Sequence, residues 1–195
     1  YKTDTLDAWV SAYAGYVNDF ILFNYTPTGP RTAISQAGNV NARIAGGELG
    51  TSYKVAPSWT LGATLAYAWG QNRSDGRALP QIPPFEAKLS AAYDDGVWFA
   101  GALWRMVAAQ KRYALREGNV VGKDFGPSAG FGVFSINGGY ALNKQVRMSL
   151  GIDNLFDKTY SEHLNLAGNA GFGFAANTAI NEPGRTAWAR ISVAY

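Results

Sequence analysis

Trp59-Thr60-Leu61-Gly62-Ala63-Thr64-Leu65-Ala66-Tyr67-Ala68-Trp69-Gly70 decides the fold. Trp59, Leu61, Ala63, Leu65, Tyr67 and Trp69 make one apolar face, and only small residues alternate with them. A period of two is the mark of a strand, because successive side chains point to opposite faces. The two tryptophans lie ten positions apart, or about 33 Å along a strand at ~3.3 Å per residue. Tilted by ~40°, that covers about 25 Å of membrane normal, the height of an apolar band between two aromatic girdles. A soluble core has no reason to put its aromatics at the two ends of a strand.

The same period runs through the chain on either side. Strands are predicted over 6–16 with an extension to 23, and over 40–55, 59–70, 85–93, 97–109, 134–142, 146–153 and 185–195. Thr26-Pro27-Thr28-Gly29-Pro30 reads as a break, since two prolines and a glycine cannot continue a ladder. Short turns are expected at 56–58, 94–96 and 143–144, and long loops at 26–39, 71–82, 110–130 and 157–184. Gly96 and Gly184 read as turn glycines. Eight antiparallel strands in a meander, with short and long connections alternating, match outer-membrane barrels with short periplasmic turns and long extracellular loops.

Composition agrees. Charged residues are 16% of the 195-residue chain, below the ~25% usual in soluble domains. No apolar run reaches the ~18 residues of a membrane helix, so the aromatic-rich composition belongs to alternating strands. There are no cysteines, which excludes disulfides and thiolate metal sites. The net charge of +3 is scattered, with no basic cluster for nucleic acid. No signal peptide opens the chain; Tyr1-Lys2-Thr3-Asp4 suggests a processed form or a fragment.

Alternation does not itself say which face is inside. A lipocalin-like soluble barrel would turn Leu61, Leu65 and Ile152 inward. The polar faces argue against it, being rich in Gly, Ala, Ser and Thr and poor in charge. In the membrane arrangement Glu48, Lys54, Glu86, Lys88, Arg147, Asp153 and Arg190 line the lumen by parity.

Gly151-Ile152-Asp153-Asn154-Leu155-Phe156-Asp157-Lys158-Thr159-Tyr160, with Pro183-Gly184-Arg185 and the terminal Tyr195, resembles the C-terminal box of TonB-dependent outer-membrane receptors. The residues that carry it are Asn154, Leu155, Phe156, Asp157, Tyr160, Pro183, Gly184 and Arg185. Ser161 to Asn165, Ile180 to Thr186 and Pro80 to Glu86 look most like the copper-receptor branch. The resemblance implies an all-β transmembrane antiparallel barrel, of which this chain is the C-terminal part, with the plug and fourteen of 22 strands absent. It implies bacterial outer-membrane location, active uptake of a metal or metal complex such as copper, and no enzymatic activity. Implied partners are outer-membrane lipid, the TonB complex acting through the plug, and the barrel-assembly machinery. That machinery reads an aromatic-ended last strand, here Ile191, Val193 and Tyr195. The competing expectation is a stand-alone eight-stranded outer-membrane barrel with a structural, adhesive or small-pore role.

No resident cofactor is expected; copper enters only as transported ligand. His163 is the one local metal candidate, since imidazole binds copper and zinc. A single histidine in a long loop is ordinarily a surface residue. Met106 and Met148 could meet soft copper(I), but Met148 falls on the lipid face, where packing explains it. Ser161 and His163 are close in sequence, yet two-residue spacing in a loop sets no triad geometry.

Overall fold

The structure, a computed structural model, describes residues 1–29, 32–165 and 178–194. It is one antiparallel sheet of β1 (Leu6–Gly29), β2 (Thr32–Ala56), β3 (Trp59–Asn72), β4 (Glu86–Asp94), β5 (Trp98–Val107), β6 (Glu117–Gly118), β7 (Phe131–Ala141), β8 (Val146–Asp153) and β9 (Thr186–Val193). The strand order is β6-β1-β2-β3-β4-β5-β7-β8-β9, a meander in which only the two-residue β6 is out of sequence. β1 and β9 do not pair, so the sheet is an open arc. This removes closure of the eight long strands into a small barrel of their own.

Register assigns the faces. Leu49 stands opposite Leu65, Leu65 opposite Ala87, Ala87 opposite Met106 and Met106 opposite Gly132. Leu61, Leu65, Leu89, Leu150, Ile191 and Val193 are all exposed on this outward surface. Trp59 packs on Tyr93 and Trp98 on Tyr140, at centroid separations of 5.2 and 4.7 Å, giving an aromatic row at the short-turn end. Tyr67, Trp69, Phe85, Trp104 and Phe134 make the opposite row. Two girdles bracketing an exposed aliphatic band are what a bilayer requires.

The inner face is built differently. Added Cβ atoms at Gly46, Gly50, Gly139 and Gly151 would run into the rings of Tyr13, Trp9, Phe99 and Trp188. Each ring lies flat across a glycine of the next strand, which keeps the wall thin and leaves room in the lumen. Among the described residues the buried hydrophobic ones are few: Leu22, Ala42, Leu79, Val107, Ala114 and Phe131. They gather at the loop end, beneath residues 73–85 and 108–130.

The expected loop at 26–39 is instead a hairpin continuing the ladder, with Pro27 opposite Ala33 and Gly29 opposite Thr32. Proline is accommodated beside the hairpin tip, where the register is irregular between Pro27 and Gly29. A 24-residue strand is about 80 Å long, whereas crossing a bilayer takes ~10 residues. The β1–β2 hairpin therefore stands well above the membrane. Its two halves are out of phase. Register slips between Val17 and Phe20, where Asp19 holds a left-handed φ of 57°, so outward positions are even below the bulge and odd above it. Leu22 is thereby turned inward and buried.

Candidate functional site

The first functional cluster grows from parity on two neighbouring strands. Lys88 on β4 stands opposite Arg105 on β5, both facing the lumen, with Glu86 two positions further along β4. Arg105 donates from Nε to Glu86 Oε2 at 2.7 Å and from Nη2 to the same oxygen. Its Nη1 donates to Glu162, which comes from the loop after β8. Lys88 Nζ closes the set on Glu86 Oε1 at 2.7 Å, and the guanidinium carbon of Arg105 lies 5.3 Å from the centre of the Phe131 ring. A cavity of about 480 Å³ opens beside it, lined by Tyr13, Glu48, Glu86, Arg105, Glu162 and His163.

Above the cavity one buried carboxylate gathers the loops. Asp124 is 1% exposed. Its Oδ1 accepts from Gln81 N and Gln81 Nε2, both at 3.0 Å, and its Oδ2 accepts from Ala114 N at 2.9 Å. His163 leans on the same group. Its Nε2 is 3.6 Å from Asp124 Oδ1, too far for a hydrogen bond, and has no hydrogen-bond partner among the described residues. Nδ1 lies 3.1 Å from Ser128 Oγ. Burial pushes the imidazole pKa below its ordinary value, and the Asp124 charge offsets this only in part. A neutral imidazole therefore clips residues 161–165 onto 108–130, while Asp124 ties in 73–85.

This arrangement corrects the expectation of a surface histidine: the His163 side chain is 3% exposed. Among the described residues, no group of three His, Cys, Asp or Glu side chains is placed to hold a metal ion. Met106 and Met148 both lie on the outward face, Met106 beside Ala87 and Gly132 and Met148 beside Tyr140 and Ile191. The hydroxyl that meets His163 belongs to Ser128, not Ser161. Ser128, His163 and Asp124 have the composition of a triad without its geometry. Both Asp124 oxygens are already bonded to amides, and the imidazole edge lies beyond bonding distance. Sequence reasoning missed Gln81, Arg105, Asp124 and Ser128. They are tens of positions from His163, and no spacing rule joins them.

The C-terminal box forms a clasp at the base of the last loop. Asn154 sits at a left-handed φ of 51° and is buried. Its Oδ1 accepts from Lys158 N at 2.8 Å, and its Nδ2 donates to Lys158 O at 2.9 Å and Pro183 O at 3.4 Å. Asp157 Oδ1 accepts from Arg185 N at 2.8 Å. Gly184 does not need a left-handed turn; a Cβ there would crowd the Asp157 carboxylate. Leu155 N donates to Phe134 O at 2.7 Å, Phe156 stacks on Phe134 at 5.9 Å, and Tyr160 packs on Phe131 at 4.3 Å. All eight box residues thus meet around the two ends of one loop. Ile191 and Val193 face outward on β9; Tyr195 lies outside the described residues.

The family model described as TonB dependent receptor-like, beta-barrel, matches residues 1–155. The chain belongs to that family. It is an outer-membrane β-barrel wall. A solved structure named copper transporter OprC is 57% identical over the whole chain, with a TM-score of 0.95. The ferric enterobactin receptor of Pseudomonas aeruginosa is 27% identical over 168 residues, or 84% of this chain. A solved structure of a ferric enterobactin receptor from the same organism, at 20% identity over the full chain and a TM-score of 0.71, shares the fold. The chain spans 30% of each of those two structures and 22% of the curated relative.

Proposed function

We propose that this chain is the C-terminal part of the barrel of an active-transport receptor that takes up a metal or metal complex, with copper as its cargo. One observation carries the cargo. Identity to the structure named a copper transporter is 57% along the whole chain, against 27% for the curated ferric enterobactin receptor. In this reading TonB acts through a plug supplied by the rest of the receptor, and the barrel has 22 strands. The present residues contribute wall and extracellular loops, not catalysis. The assembly machinery engages the last strand at Ile191, Val193 and Tyr195.

The described residues hold His163 in a clip and direct both methionines to lipid, so the copper ligands are assigned to other parts of the receptor. The test is copper accumulation in copper-limited cells that lack the full receptor or carry it restored. Restoration should return uptake, and His163→Ala should leave it within about twofold. Unchanged copper on deletion, with ferric-catecholate uptake lost instead, would replace the cargo. A stand-alone small barrel is disfavoured by the open arc, since its end strands would carry unpaired backbone groups in hydrocarbon.

A further inference from the structure

The outward face carries one feature that neither transport nor wall-building uses. Arg43 on β2 stands opposite Tyr16 on β1 and opposite Gln71 on β3, on the same face as Leu49 and Leu65. Its Nη2 donates to Gln71 Oε1 at 2.8 Å. Arg73 follows two residues later and lies over the Tyr16 ring at 5.1 Å. Arg112 reaches out from the 108–130 loop to lie over the Trp69 ring at 5.2 Å, donating Nη2 to Gly70 O at 3.1 Å. All three residues are exposed, and among the described residues none forms an ion pair. Arg77, in the same loop as Arg73, shows the contrast, with Asp75 and Glu117 both at 2.6 Å.

The height of the cluster is set by the girdle. Gln71 is two positions beyond Trp69 on the same face, about 5 Å further along the membrane normal at ~3.3 Å per residue and ~40° tilt. That is the headgroup layer of the leaflet on the long-loop, extracellular side. Three like charges beside a hydrocarbon band repel one another; Arg73 and Arg112 gain a weak cation–π contact each, and Arg43 and Arg112 one hydrogen bond each to a neutral group. Planar guanidinium forks suit phosphate oxygens, and the aromatic rings hold them at the level where such oxygens occur.

We propose that Arg43, Arg73 and Arg112 form a binding site for the phosphate groups of the glycolipid of the outer leaflet, lipid A. Its acyl chains would lie against Tyr67, Leu65 and Leu49 below the arginines. The site fastens the receptor's long-loop rim to its lipid annulus, and the identity of the cargo does not enter.

The test uses the full receptor, purified in detergent, and labelled bisphosphorylated lipid A as probe, with folding checked by heat-dependent gel mobility. Each Arg→Gln change should weaken binding about fivefold, and Arg43→Gln with Arg73→Gln and Arg112→Gln together on the order of a hundredfold. The triple Arg→Lys variant, which keeps the charge without the planar fork, should fall between the unaltered receptor and the triple Gln variant. Lipid A stripped of its phosphates should bind the unaltered receptor as weakly as bisphosphorylated lipid binds the triple Gln variant. The assignment is overturned by a triple Gln variant within twofold of the unaltered receptor. It is equally overturned if phosphate-free lipid binds as tightly, or if inorganic phosphate at the lipid's own concentration displaces it. Should the triple variant not fold, Arg73→Gln alone, in an exposed loop, must show its fivefold loss.

Discussion

Removing the Asp124 carboxylate should loosen three extracellular segments together. Asp124→Ala deletes the acceptor for Gln81 N, Gln81 Nε2 and Ala114 N. Hydrogen bonds to a buried charge contribute about 1.5–3 kcal/mol each, and their donors are then left without partners. Three at the low end come to about 4.5 kcal/mol of local stability, or roughly two-thousandfold in an opening equilibrium. Hydrogen exchange on the full receptor reads this directly. The Gln81 and Ala114 amides should exchange at least a hundredfold faster, while amides in the middle of β3 and β4, such as Leu61 and Leu89, stay unchanged. Asp124→Asn keeps a carbonyl acceptor but replaces one oxygen with a donor facing donors, so it should fall between the two. Exchange at Gln81 and Ala114 within threefold of the unaltered receptor would refute the node. So would an Asn variant as loose as the Ala variant, because the loss would then be of charge alone.

The His163 clip should be pH-dependent. With its pKa lowered below the usual 6.5 by burial, the folded state binds fewer protons than the unfolded one, so the clip is fully stable above pH ~6.5 and weakens as pH falls through that value. Amides of 161–165 should exchange progressively faster on acidification, and His163→Gln should flatten that dependence. Gly50→Val should drive a side chain into the Trp9 indole and cost about 1–3 kcal/mol; Trp9→Ala in the same chain should recover part of the folded fraction seen by gel mobility. Asn154→Ala removes three hydrogen bonds and puts alanine at a left-handed φ. A loss of about 2–4 kcal/mol is expected, with protease cleavage appearing between 155 and 185. Leu65→Arg, near the middle of the outward band, should reduce assembly by about 2–4 kcal/mol, whereas Ser90→Arg on the inner face should be tolerated.

The parts of the fold legible in the sequence are those in which one face meets lipid. In 59–70 each side chain sees either hydrocarbon or lumen, so alternation survives intact and the tryptophans mark the girdles. Alternation fails as a guide in 6–29 for a local reason. The bulge at Asp19 reverses the phase, so a single parity count mixes two faces. Pro27 reads as a breaker because the rule against proline assumes an unbroken ladder, and here the residue sits at a register irregularity beside the hairpin tip. Two-residue β6 has no period to detect; it exists because Glu117 and Gly118 are carried to Asn24 and Phe23 by a loop braced on Asp124. The C-terminal box is legible because its bonds are short-range, Asn154 to Lys158, or close one loop, Asp157 to Arg185. The mouth cluster draws Gln81, Arg105, Asp124 and His163 from four separate stretches, and only the completed sheet brings them together.

The open arc also fixes where stability resides. Among the described residues nothing pairs with the β9 edge away from β8, so in this segment alone every second residue would turn an N–H and a C=O outward at the height of the bilayer. On β1 the edge is covered near Asp7 by the bridge from Lys2 and at Phe23 and Asn24 by β6, with the span between them open. Each such group in hydrocarbon costs several kcal/mol. That total far exceeds anything the loop-end core of Leu22, Leu79, Val107 and Phe131 could return. Pairing of β1 and β9 with further strands is therefore a condition of folding in the membrane, not an addition to it. A substitution in the Asn154–Arg185 clasp and one on the lipid face are thus coupled through closure, even where they share no contact. Their combined effect should exceed the sum of the separate ones near the β9 seam, and be additive across β3 and β4, where both ladders are complete.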